Sequence, residues 1–565
     1  MKNKKGFTLI ELLAVIVILA IIALIAIPII LNMINNARKS ASLDAAYGYI
    51  EAIEYNSGLG DIGTTGYSKL NDGIYQVSEL NIKLKGKKPN YGFINVEKNK
   101  VEVASLCIDG YNVSYDGKNA EVIEACDTSE AKVLYKESKL NGAIPTLKGD
   151  MIPVTIENDG TVKKADIYSE WYKYESKNWA NAVVLINKTA YKTNQTIPED
   201  NIKAYYVWIP RYRYKLFEST TPTEIRITFE DKNTSKAKGT TIGQELTHPA
   251  FTYGTEELNG FWVGKFETSR NSSETVENAV AKIKPYMSGN SNSTITSLTS
   301  LQVSKLYEKS LSVSDNSRMM KNEEWGAVAY LSHSSFGECT DSTCNKIRIN
   351  NDNRYHPGCG ASSADNLGAV AACQIEYGKA VEYPQSTNGN ITGIFDMSGG
   401  AWDYMMSVLA DKNGNGFSGR HNVYNSGFNG KFGCPNCVNT DGTGSTALAN
   451  GDSSITSLSS GINFPTNKDY SLFFNPNDTT DNRTNTNVNN GCNGDSCYGH
   501  AMGETSTGSG SKSWYGEYSN FVSYGYPWVV RGGRCTYGSS AGVFAFNYYN
   551  GRALGYISFR VVVTN

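Results

Sequence analysis

An uninterrupted apolar run near the N-terminus constrains this 565-residue chain more than any other feature. Residues Leu12 to Leu31 contain no charged side chain. As an α-helix, twenty such residues extend about 30 Å, which is the thickness of the hydrocarbon core of a bilayer. The preceding segment, Met1–Gly6, is short and basic, and a basic flank favours the cytoplasmic side of a membrane. The sequence therefore predicts a membrane anchor or a signal peptide at the N-terminus.

Glu11 argues against a simple anchor, because a carboxylate at the edge of an apolar helix needs a partner. The segment Gly6-Phe-Thr-Leu-Ile-Glu11 resembles the cleavage and methylation motif of type IV prepilins. The resemblance implies that a prepilin peptidase cuts after Gly6 and that the new N-terminal residue, Phe7, is N-methylated. It implies that Glu11 pairs with the terminal amine of a neighbouring pilin subunit. It also implies a precursor in the inner (cytoplasmic) membrane of a bacterium and a mature protein on a pilus or cell surface.

Composition and charge fit a folded exported protein. Hydrophobic residues make up 40% of the chain and charged residues 19%, which is typical of globular domains. The formal net charge of -2 creates no field that would attract nucleic acid, so we expect no nucleic-acid partner. The 36 tyrosines favour a binding role, because tyrosine-rich surfaces provide rigid contact area at a low entropy cost.

Most of the 11 cysteines fall in close pairs, which in an exported chain indicates disulfide bonds. The predicted bonds are Cys107–Cys126, Cys339–Cys344, Cys359–Cys373, Cys434–Cys437 and Cys492–Cys497. Cys535 then has no partner. A zinc site formed by the last two pairs is the alternative, although no His supports it and the second spacing is wide.

Changes in composition divide the chain into successive segments. We predict a leader at 1–6, a transmembrane and assembly helix at 7–57, a β-rich pilin-like head at 58–130, a linker at 131–149 and a ligand-binding domain at 150–565. Short strand-like runs include Gly92–Val96 and Ala204–Pro210, and apolar spacing predicts a helix from Lys321 to Leu331. The expected fold class is α+β.

Three segments of the predicted domain resemble, in order, the formylglycine-generating-enzyme-like branch of the C-type lectin fold. They are Glu323-Glu-Trp-Gly-Ala-Val-Ala329, Gly393-Ile-Phe-Asp-Met-Ser-Gly-Gly-Ala-Trp-Asp403, and Val530-Arg-Gly-Gly533 followed by Ser558-Phe-Arg-Val-Val562. The resemblance implies a mixed, C-type-lectin-like domain. In physical terms, we expect Phe395 and Trp402 in the core, Gly532 and Gly533 in a tight turn, and Arg560 among buried acceptors.

The same segments argue against catalysis. Catalytic members of that family use two cysteines near the Arg-Gly-Gly segment, and here only Cys535 lies near it. The five histidines, at positions 248, 333, 356, 421 and 500, form no local metal-binding pattern. The sequence contains no nucleophile elbow, phosphate loop or zincin motif. We therefore expect a protein that is not an enzyme and needs no cofactor.

A structural calcium ion is the weaker alternative to a metal-free protein. Asp411, Asn413 and Asn415 match the first half of an EF-hand loop, but Asn422 replaces the bidentate glutamate at the twelfth position. An ordinary turn rich in Asn and Gly is the preferred interpretation. The lectin-like resemblance also implies calcium near Asp403, although this chain has a glycine in place of the family's asparagine.

The segment from Arg531 to Arg560 resembles the variable region of diversity-generating-retroelement target proteins. In that family, adenine-directed mutagenesis scatters codons such as AAC, from which Lys, Glu, Gln, Met and Trp are not reachable. None of these five residue types occurs among the 25 residues from Arg534 to Ser558. The resemblance implies a constant frame at Ala541–Phe544, Phe546, Gly551, Ala553 and Ser558–Arg560. An invariant, aromatic-rich terminal hairpin is the alternative.

The same resemblance implies that the variable region, 534–557, contacts a ligand. The implied contact positions are Arg534, Cys535, Thr536, Tyr537, Ser540, Ala545, Asn547, Tyr548, Tyr549, Asn550, Arg552, Leu554, Gly555, Tyr556 and Ile557. The leading interpretation is a pilus-displayed adhesin for an unknown surface protein or glycan. Its other expected partners are the prepilin peptidase and further pilin subunits bound through the N-terminal helix. A structural minor pilin or pseudopilin and a formylglycine-generating-enzyme-like oxidase are the alternatives.

Overall fold

A computed structural model describes most of the chain. The described residues are 9–67, 69–70, 73–77, 80, 82–84, 86–97, 99–115, 117–126, 145–147, 150–166, 171–189, 191–217, 223–238, 243–289, 294–340, 343–364, 368–410, 428–429, 462–463, 468–474, 498–506, 510–522 and 526–564. Contacts divide the chain into a smaller unit, Met1–Lys136 with Ile167–Ser169, and a larger unit, Glu137–Asp166 with Glu170–Asn565. The domain limits expected from the sequence, including the linker at 131–149, stay predictions.

The predicted processing motif lies outside this description. Gly6 and Phe7 are not among the described residues, and neither is the side chain of Glu11. Within the described residues, no helix is both long enough and apolar enough to cross a membrane. The roles of these three residues therefore stay predictions from the sequence.

The smaller unit consists of one long helix and one antiparallel sheet. Helix α1 spans Leu9–Asp61. Each strand of the sheet pairs with the next in chain order: β1 (Gly73–Gln76), β2 (Tyr91–Glu97), β3 (Lys100–Ile108), β4 (Tyr111–Tyr115) and β5 (Ala120–Ala125). The predicted strand Gly92–Val96 lies within β2.

Helix α1 buries one apolar stripe in the core of this unit. The stripe consists of Ala46, Tyr49, Ile50 and Ile53. These residues follow the i, i+3, i+4, i+7 spacing that brings side chains to one helix face. Sheet residues such as Ile94, Leu106 and Val113 belong to the same core. A disulfide between Cys107 and Cys126 joins β3 to the residue after β5. The helix and the sheet are therefore held together by one apolar core.

The larger unit is built mainly from strands. They are β6 (Met151–Ile156), β7 (Val162–Lys164), β8 (Asn181–Leu185), β9 (Thr196–Ile197), β10 (Ile202–Pro210), β11 (Tyr212–Lys215), β12 (Arg226–Phe229), β13 (Glu245–Thr247), β14 (Thr252–Tyr253), β15 (Glu256–Glu257), β16 (Gly260–Gly264), β17 (Ser269–Asn271), β18 (Ile295–Ser297), β19 (Ser317–Met319), β20 (Cys339–Thr340), β21 (Thr343–Cys344), β22 (Trp402–Ala410), β23 (Phe428–Asn429), β24 (Ile462–Asn463), β25 (Ser471–Phe474), β26 (Trp528–Gly532), β27 (Gly542–Tyr549), β28 (Ile557–Phe559) and β29 (Val561–Val563). Helices α2 (Val303–Ser310) and α3 (Asn322–Ser332) complete it, and α3 matches the predicted helix within one residue at each end.

An eight-stranded antiparallel sheet contains both the first and the last strand of the larger unit. Its order is β19-β29-β16-β10-β8-β6-β7-β9. The last strand, β29, pairs with β16 on one side and with β19 on the other. Both edges of β29 are hydrogen-bonded to neighbouring strands. This pairing fixes the C-terminal end of the segment that comes before β29. The predicted variable region therefore ends on a rigid part of the fold.

A second sheet carries the centre of the predicted variable region. Strand β22 pairs in antiparallel fashion with β26 and in parallel with β25 and β28, and β26 also pairs with β27. Successive side chains of a strand point to opposite faces of its sheet. On β27, Asn547 and Tyr549 therefore share one face, which we call the Tyr549 face. Phe544, Phe546 and Tyr548 share the other, the Phe546 face.

The structure confirms the core positions predicted for two residues and the close backbone packing predicted at Gly532 and Gly533, while the tight turn predicted there stays a prediction. Phe395 and Trp402 are completely buried. Gly532 and Gly533 have φ angles of 88° and 80°, which are values that favour glycine. A Cβ atom on Gly533 would lie 2.6 Å from the Cα of Ala541, so the close approach of the two backbones also requires glycine.

Arg560 has the buried acceptors that the sequence analysis requires. Its guanidinium is completely buried and donates to the carbonyl oxygens of Gly264, at 2.7 Å, and Phe395, at 2.8 Å. Its Nε lies 3.5 Å from an oxygen of the buried Asp403 carboxylate. Arg560 thus connects the segment after β28 to β16, to the Phe395 loop and to β22.

Three of the five predicted disulfides are present: Cys107–Cys126, Cys339–Cys344 and Cys359–Cys373. The predicted pairs Cys434–Cys437 and Cys492–Cys497 lie outside the described residues, and so does the alternative zinc site that they would form. Cys535 is buried and has no disulfide partner among the described cysteines.

Candidate functional site

The predicted constant frame of the C-terminal region is buried almost throughout. Ala541–Phe544, Phe546, Gly551 and Ser558–Arg560 are buried, whereas Ala553 is exposed. The Phe544 ring packs edge-on against Trp514, with ring centroids 4.9 Å apart. Its backbone N–H donates to the buried carboxylate of Glu517 at 2.8 Å, and Lys346 lies 3.3 Å from that carboxylate. These contacts fix β27 from one side.

Eleven of the fifteen predicted ligand-contact positions are at least partly exposed. They are Arg534, Thr536, Tyr537, Ser540, Tyr548, Tyr549, Asn550, Arg552, Leu554, Gly555 and Tyr556. The frame is therefore mostly inside the protein and the predicted contact positions are mostly at its surface.

The prediction is corrected at the other four positions, because Cys535, Ala545, Asn547 and Ile557 are buried. Ala545 and Asn547 lie in the middle of β27, which is bonded to β26 on one edge. On its other edge, Phe546 exchanges backbone hydrogen bonds with the segment 518–520. Ile557 pairs with Trp402 inside the second sheet. As described, the side chains of these four residues are not available to a ligand at the surface.

Two tyrosine rings hold the guanidinium of Arg534. The guanidinium carbon lies 5.0 Å from the ring centroid of Tyr537 and 4.6 Å from that of Tyr556. Both distances fall within the range of cation–π attraction. The ring of Tyr537 in turn packs edge-on against the core residue Trp402, with ring centroids 5.5 Å apart. The core therefore supports one of the two rings that contact Arg534.

Further tyrosines extend this arrangement over the Tyr549 face of the second sheet. The Tyr549 ring lies 6.2 Å from Tyr556 and 6.5 Å from Tyr404, and the Tyr518 ring lies 5.4 Å from Tyr537. Partial burial is the main reason that the pKa values of Tyr537 and Tyr549 are raised, so both keep their hydroxyl protons at neutral pH. We call the set Arg534, Tyr518, Tyr537, Tyr549 and Tyr556 the tyrosine surface.

Tyr548 does not belong to this set. It lies on the Phe546 face, where its ring contacts Tyr526 at 5.1 Å. The sequence treats Tyr548 and Tyr549 as equivalent contact positions, but strand geometry separates them. Tyr548 is partly exposed, as Tyr549 is, which makes it a matched control for experiments on the tyrosine surface.

Tyr518 is not among the predicted contact positions, because it lies upstream of the predicted variable region. The Tyr518 hydroxyl accepts a hydrogen bond from the side-chain amide of Asn520 at 2.7 Å. The same amide lies 3.4 Å from the side-chain oxygen of Asn547, which connects the segment to β27. The density of tyrosines between residues 515 and 526 is the signal that could have identified it.

Cys535, which follows Arg534 in the chain, has a buried thiol. Its backbone N–H donates to the carbonyl oxygen of Gly400 at 2.8 Å. Burial raises the pKa of the thiol to about 11, so the thiol is protonated at neutral pH. Only the thiolate is a strong nucleophile or metal ligand. Cys535 is therefore poorly suited to redox chemistry in this conformation.

The weak calcium candidates find no support in the described residues. The Asp403 carboxylate is buried, with Arg560 Nε 3.5 Å from one of its oxygens, and that positive charge disfavours a second cation beside it. Asp411, Asn413 and Asn415 lie outside the described residues. Within the described part of the chain, two side-chain groups have metal-like spacing, His333 with Cys339 and Cys344, and Asp352 with His356 and Cys359. Each contains disulfide-bonded sulfur in place of a thiolate.

Two of the histidines are ordinary core residues. His248 is completely buried and burial lowers its pKa to about 3, while burial lowers the pKa of His333 to about 4. Both imidazoles are therefore neutral at pH 7. His248 packs among Tyr212, Tyr214 and Tyr330, as expected for a structural residue.

Comparison with known families identifies the N-terminus. The family model of the prokaryotic N-terminal methylation motif matches residues 1–27. The chain has a type IV prepilin-like N-terminus. This finding supports a type IV pilin-like surface protein, and it fits a membrane-anchored precursor that reaches a pilus or the cell surface. It also suggests processing by a prepilin peptidase and assembly with other pilins. No curated protein matches the chain.

We expect the prepilin-like leader to be removed in the mature protein. Cleavage after Gly6 would release Met1–Gly6 and leave N-methylated Phe7 at the N-terminus. Mass spectrometry of the N-terminal peptide, from a host with an active prepilin peptidase, measures this directly. A Gly6→Val variant should keep its leader, because the bulkier residue alters the cleavage site. A wild-type chain that still begins at Met1 in that host would contradict the prediction.

Proposed function

We propose that this pilin-like protein displays a ligand-binding unit and acts as an adhesin. The larger unit would recognise its ligand through the tyrosine surface, and the smaller unit would carry the fibre contacts, with Glu11 paired to a neighbouring subunit. The observation that carries the proposal is the arrangement of the C-terminal region: a buried frame at Phe544, Phe546 and Phe559 below a surface that contains Arg and Tyr. Tyr and Arg are enriched at binding hot spots.

The order of secondary structure is compatible with the C-type-lectin-like part of the proposal. The last strand returns to the sheet that begins the larger unit, and the segment before it presents side chains at the surface. A fixed scaffold below replaceable side chains is the arrangement that a diversified binding site requires. We propose that a retroelement diversifies the exposed positions between 534 and 557. A near-copy of the 3′ end of the gene beside a reverse transcriptase would support this separately from ligand binding.

Catalysis is the less favoured alternative. A formylglycine-generating-enzyme-like oxidase would need a second thiol near Cys535, and no other free thiol is present among the described residues. Cys535 is also protonated at neutral pH, which disfavours oxidase chemistry at this thiol. We therefore propose that the chain is not an enzyme. Thiol-dependent oxidation of a substrate peptide by the purified protein with copper would argue for the oxidase instead.

The binding proposal predicts that the double variant Tyr549→Ala/Tyr556→Ala loses ligand binding. We expect a loss of about thirty-fold or more, because even a single hot-spot residue contributes about 2 kcal/mol or more. The full chain would be applied to arrays of purified surface proteins and glycans, and the wild-type hits would be titrated with the variant.

Tyr548→Ala is the matched control and should keep wild-type binding, since Tyr548 lies on the opposite face of β27. A structural minor pilin without a ligand would give no reproducible hit with any of these chains. Equal losses in the control and the double variant would mean that folding, and not the tyrosine surface, determines binding.

A further inference from the structure

We propose that the tyrosine surface binds a carboxylate of an acidic protein segment through the guanidinium of Arg534. This inference rests on the proposed function, because it names the class of ligand that the same surface takes. Its starting point is the position of the guanidinium between the rings of Tyr537 and Tyr556, at 5.0 and 4.6 Å. Two aromatic contacts restrict the rotamers of a long side chain, so less entropy is lost when a ligand binds.

The charge of Arg534 has no counterion in the described part of the chain. No described carboxylate lies within ion-pairing distance of it, and its Nε is buried without a hydrogen-bond partner. Three of the four buried arginines among the described residues differ in this respect, while the fourth, Arg531, donates to the backbone carbonyl oxygens of Ala501 and Val543. Arg211 pairs with Glu230, Arg318 with Glu324 and Arg560 with Asp403. A cation that is held in place but unpaired is suited to an incoming anion.

The charged side chains in the segment that forms most of this surface are all positive, as Arg534 is. The segment from Arg534 to Ile557 contains two arginines, Arg534 and Arg552, and no Lys, Asp or Glu. Arg552 is exposed, and its carbonyl oxygen accepts a hydrogen bond from Tyr404, which also contacts the Tyr549 ring. Complementary charge steers a partner towards such a surface and disfavours basic partners. The local charge therefore selects an acidic ligand.

The chemistry of the surrounding groups favours a protein over a glycan. A planar guanidinium matches the two oxygens of an Asp or Glu carboxylate. Around it, the rings of Tyr537, Tyr549 and Tyr556 offer rigid apolar contact next to hydroxyl groups. This mixture of Tyr with a few Arg and Asn residues is characteristic of surfaces that recognise proteins.

Poly-L-glutamate provides a direct probe. Binding of the detergent-solubilised full chain to immobilised poly-L-glutamate would be measured at about 50 and about 300 mM NaCl, which shortens the Debye length about 2.4-fold. We expect binding at the lower salt concentration and clear weakening at the higher one. Arg534→Gln should weaken binding about ten-fold or more, because a charged hydrogen bond contributes about 1.5–3 kcal/mol.

Two further variants separate charge from geometry. Arg534→Lys should bind with intermediate affinity, since it keeps the charge but loses the planar donor pair. Arg226→Gln removes an exposed arginine on β12, outside the tyrosine surface, and should bind as the wild type does. Wild-type binding by Arg534→Gln, or equal losses in Arg534→Gln and Arg226→Gln, would overturn the proposal.

The same experiment separates this inference from the proposed function. If polygalacturonate, which carries carboxylates on a glycan, binds through Arg534 more tightly than poly-L-glutamate, the assignment to a protein ligand is wrong. If Arg534→Gln keeps every array hit that Tyr549→Ala/Tyr556→Ala loses, the acidic-ligand inference fails and the adhesin function stands. If both variants keep every hit, the binding function of this surface fails as well.

Discussion

Replacing Arg560 with methionine should lower the free energy of unfolding of the larger unit by about 3–5 kcal/mol, the range found when one partner of a buried ion pair is removed. Methionine preserves much of the side-chain volume but provides no donor. The carbonyl oxygens of Gly264 and Phe395 would lose their hydrogen bonds, and Asp403 would lose the cation at 3.5 Å. Denaturant unfolding of the full chain, followed by the fluorescence of the buried tryptophans, would measure the change.

The loss of unfolding free energy in the Arg560→Met variant should be larger at pH 8 than at pH 5. Burial raises the pKa of Asp403 to about 7, above its value in the unfolded chain, so the folded state holds an extra proton between about pH 4 and pH 7. The stability that this proton contributes is lost as the pH rises through that window. At pH 8 the wild-type carboxylate is mostly ionised and paired with Arg560, whereas the methionine variant has no cation beside it.

Controls distinguish the ion pair from general damage. Arg552→Met alters an exposed arginine of the same region and should change stability by no more than about 0.5 kcal/mol. Adding Asp403→Asn to Arg560→Met should recover part of the loss at pH 8, since the unpaired carboxylate is removed. A loss for Arg560→Met that is the same at both pH values, with no recovery in the double variant, would contradict the pairing.

Phe544→Ala should destabilise the larger unit by about 3–5 kcal/mol, which is typical of a buried phenylalanine replaced by alanine. Phe544 is 1% exposed, and its ring packs against Trp514 and, at 5.4 Å, against His333. The alanine variant would leave a cavity between β27 and these rings. Thermal or denaturant unfolding of the full chain would detect it as a lower midpoint.

Tyr548→Ala provides the comparison from the same strand and the same face. Tyr548 is partly exposed at the end of β27, so its loss should reduce stability by much less than the loss of Phe544. This contrast tests the division into a buried frame and a replaceable surface. If Tyr548→Ala lowers stability as much as Phe544→Ala does, the alternative of an invariant terminal hairpin is favoured. In that alternative the tyrosines are core residues.

The sequence alone determined the features that depend on residues near each other in the chain. The prepilin-like motif requires only the spacing of Gly6, Phe7 and Glu11, and a family model recognises it. Helix α3 and strands β2 and β10 follow from local apolar spacing and composition. The three described disulfides join cysteines separated by 5, 14 and 19 positions, for which the entropy cost of loop closure is small.

Which of the predicted contact residues reach the surface depends on how the strands pair. Alternation along β27 separates Tyr549 from Tyr548, and the segment 518–520 covers Asn547 while adding Tyr518 to the tyrosine surface. The counterion of Arg560 is Asp403, 157 positions away, and the charge of Arg560 disfavours a calcium ion beside Asp403. No local pattern contains these facts, because strand pairing and burial depend on residues far apart in the chain. The sequence therefore determined several local elements and the N-terminal motif, whereas long-range pairing decided that Arg560 is neutralised in the core and that Arg534 stays partly exposed.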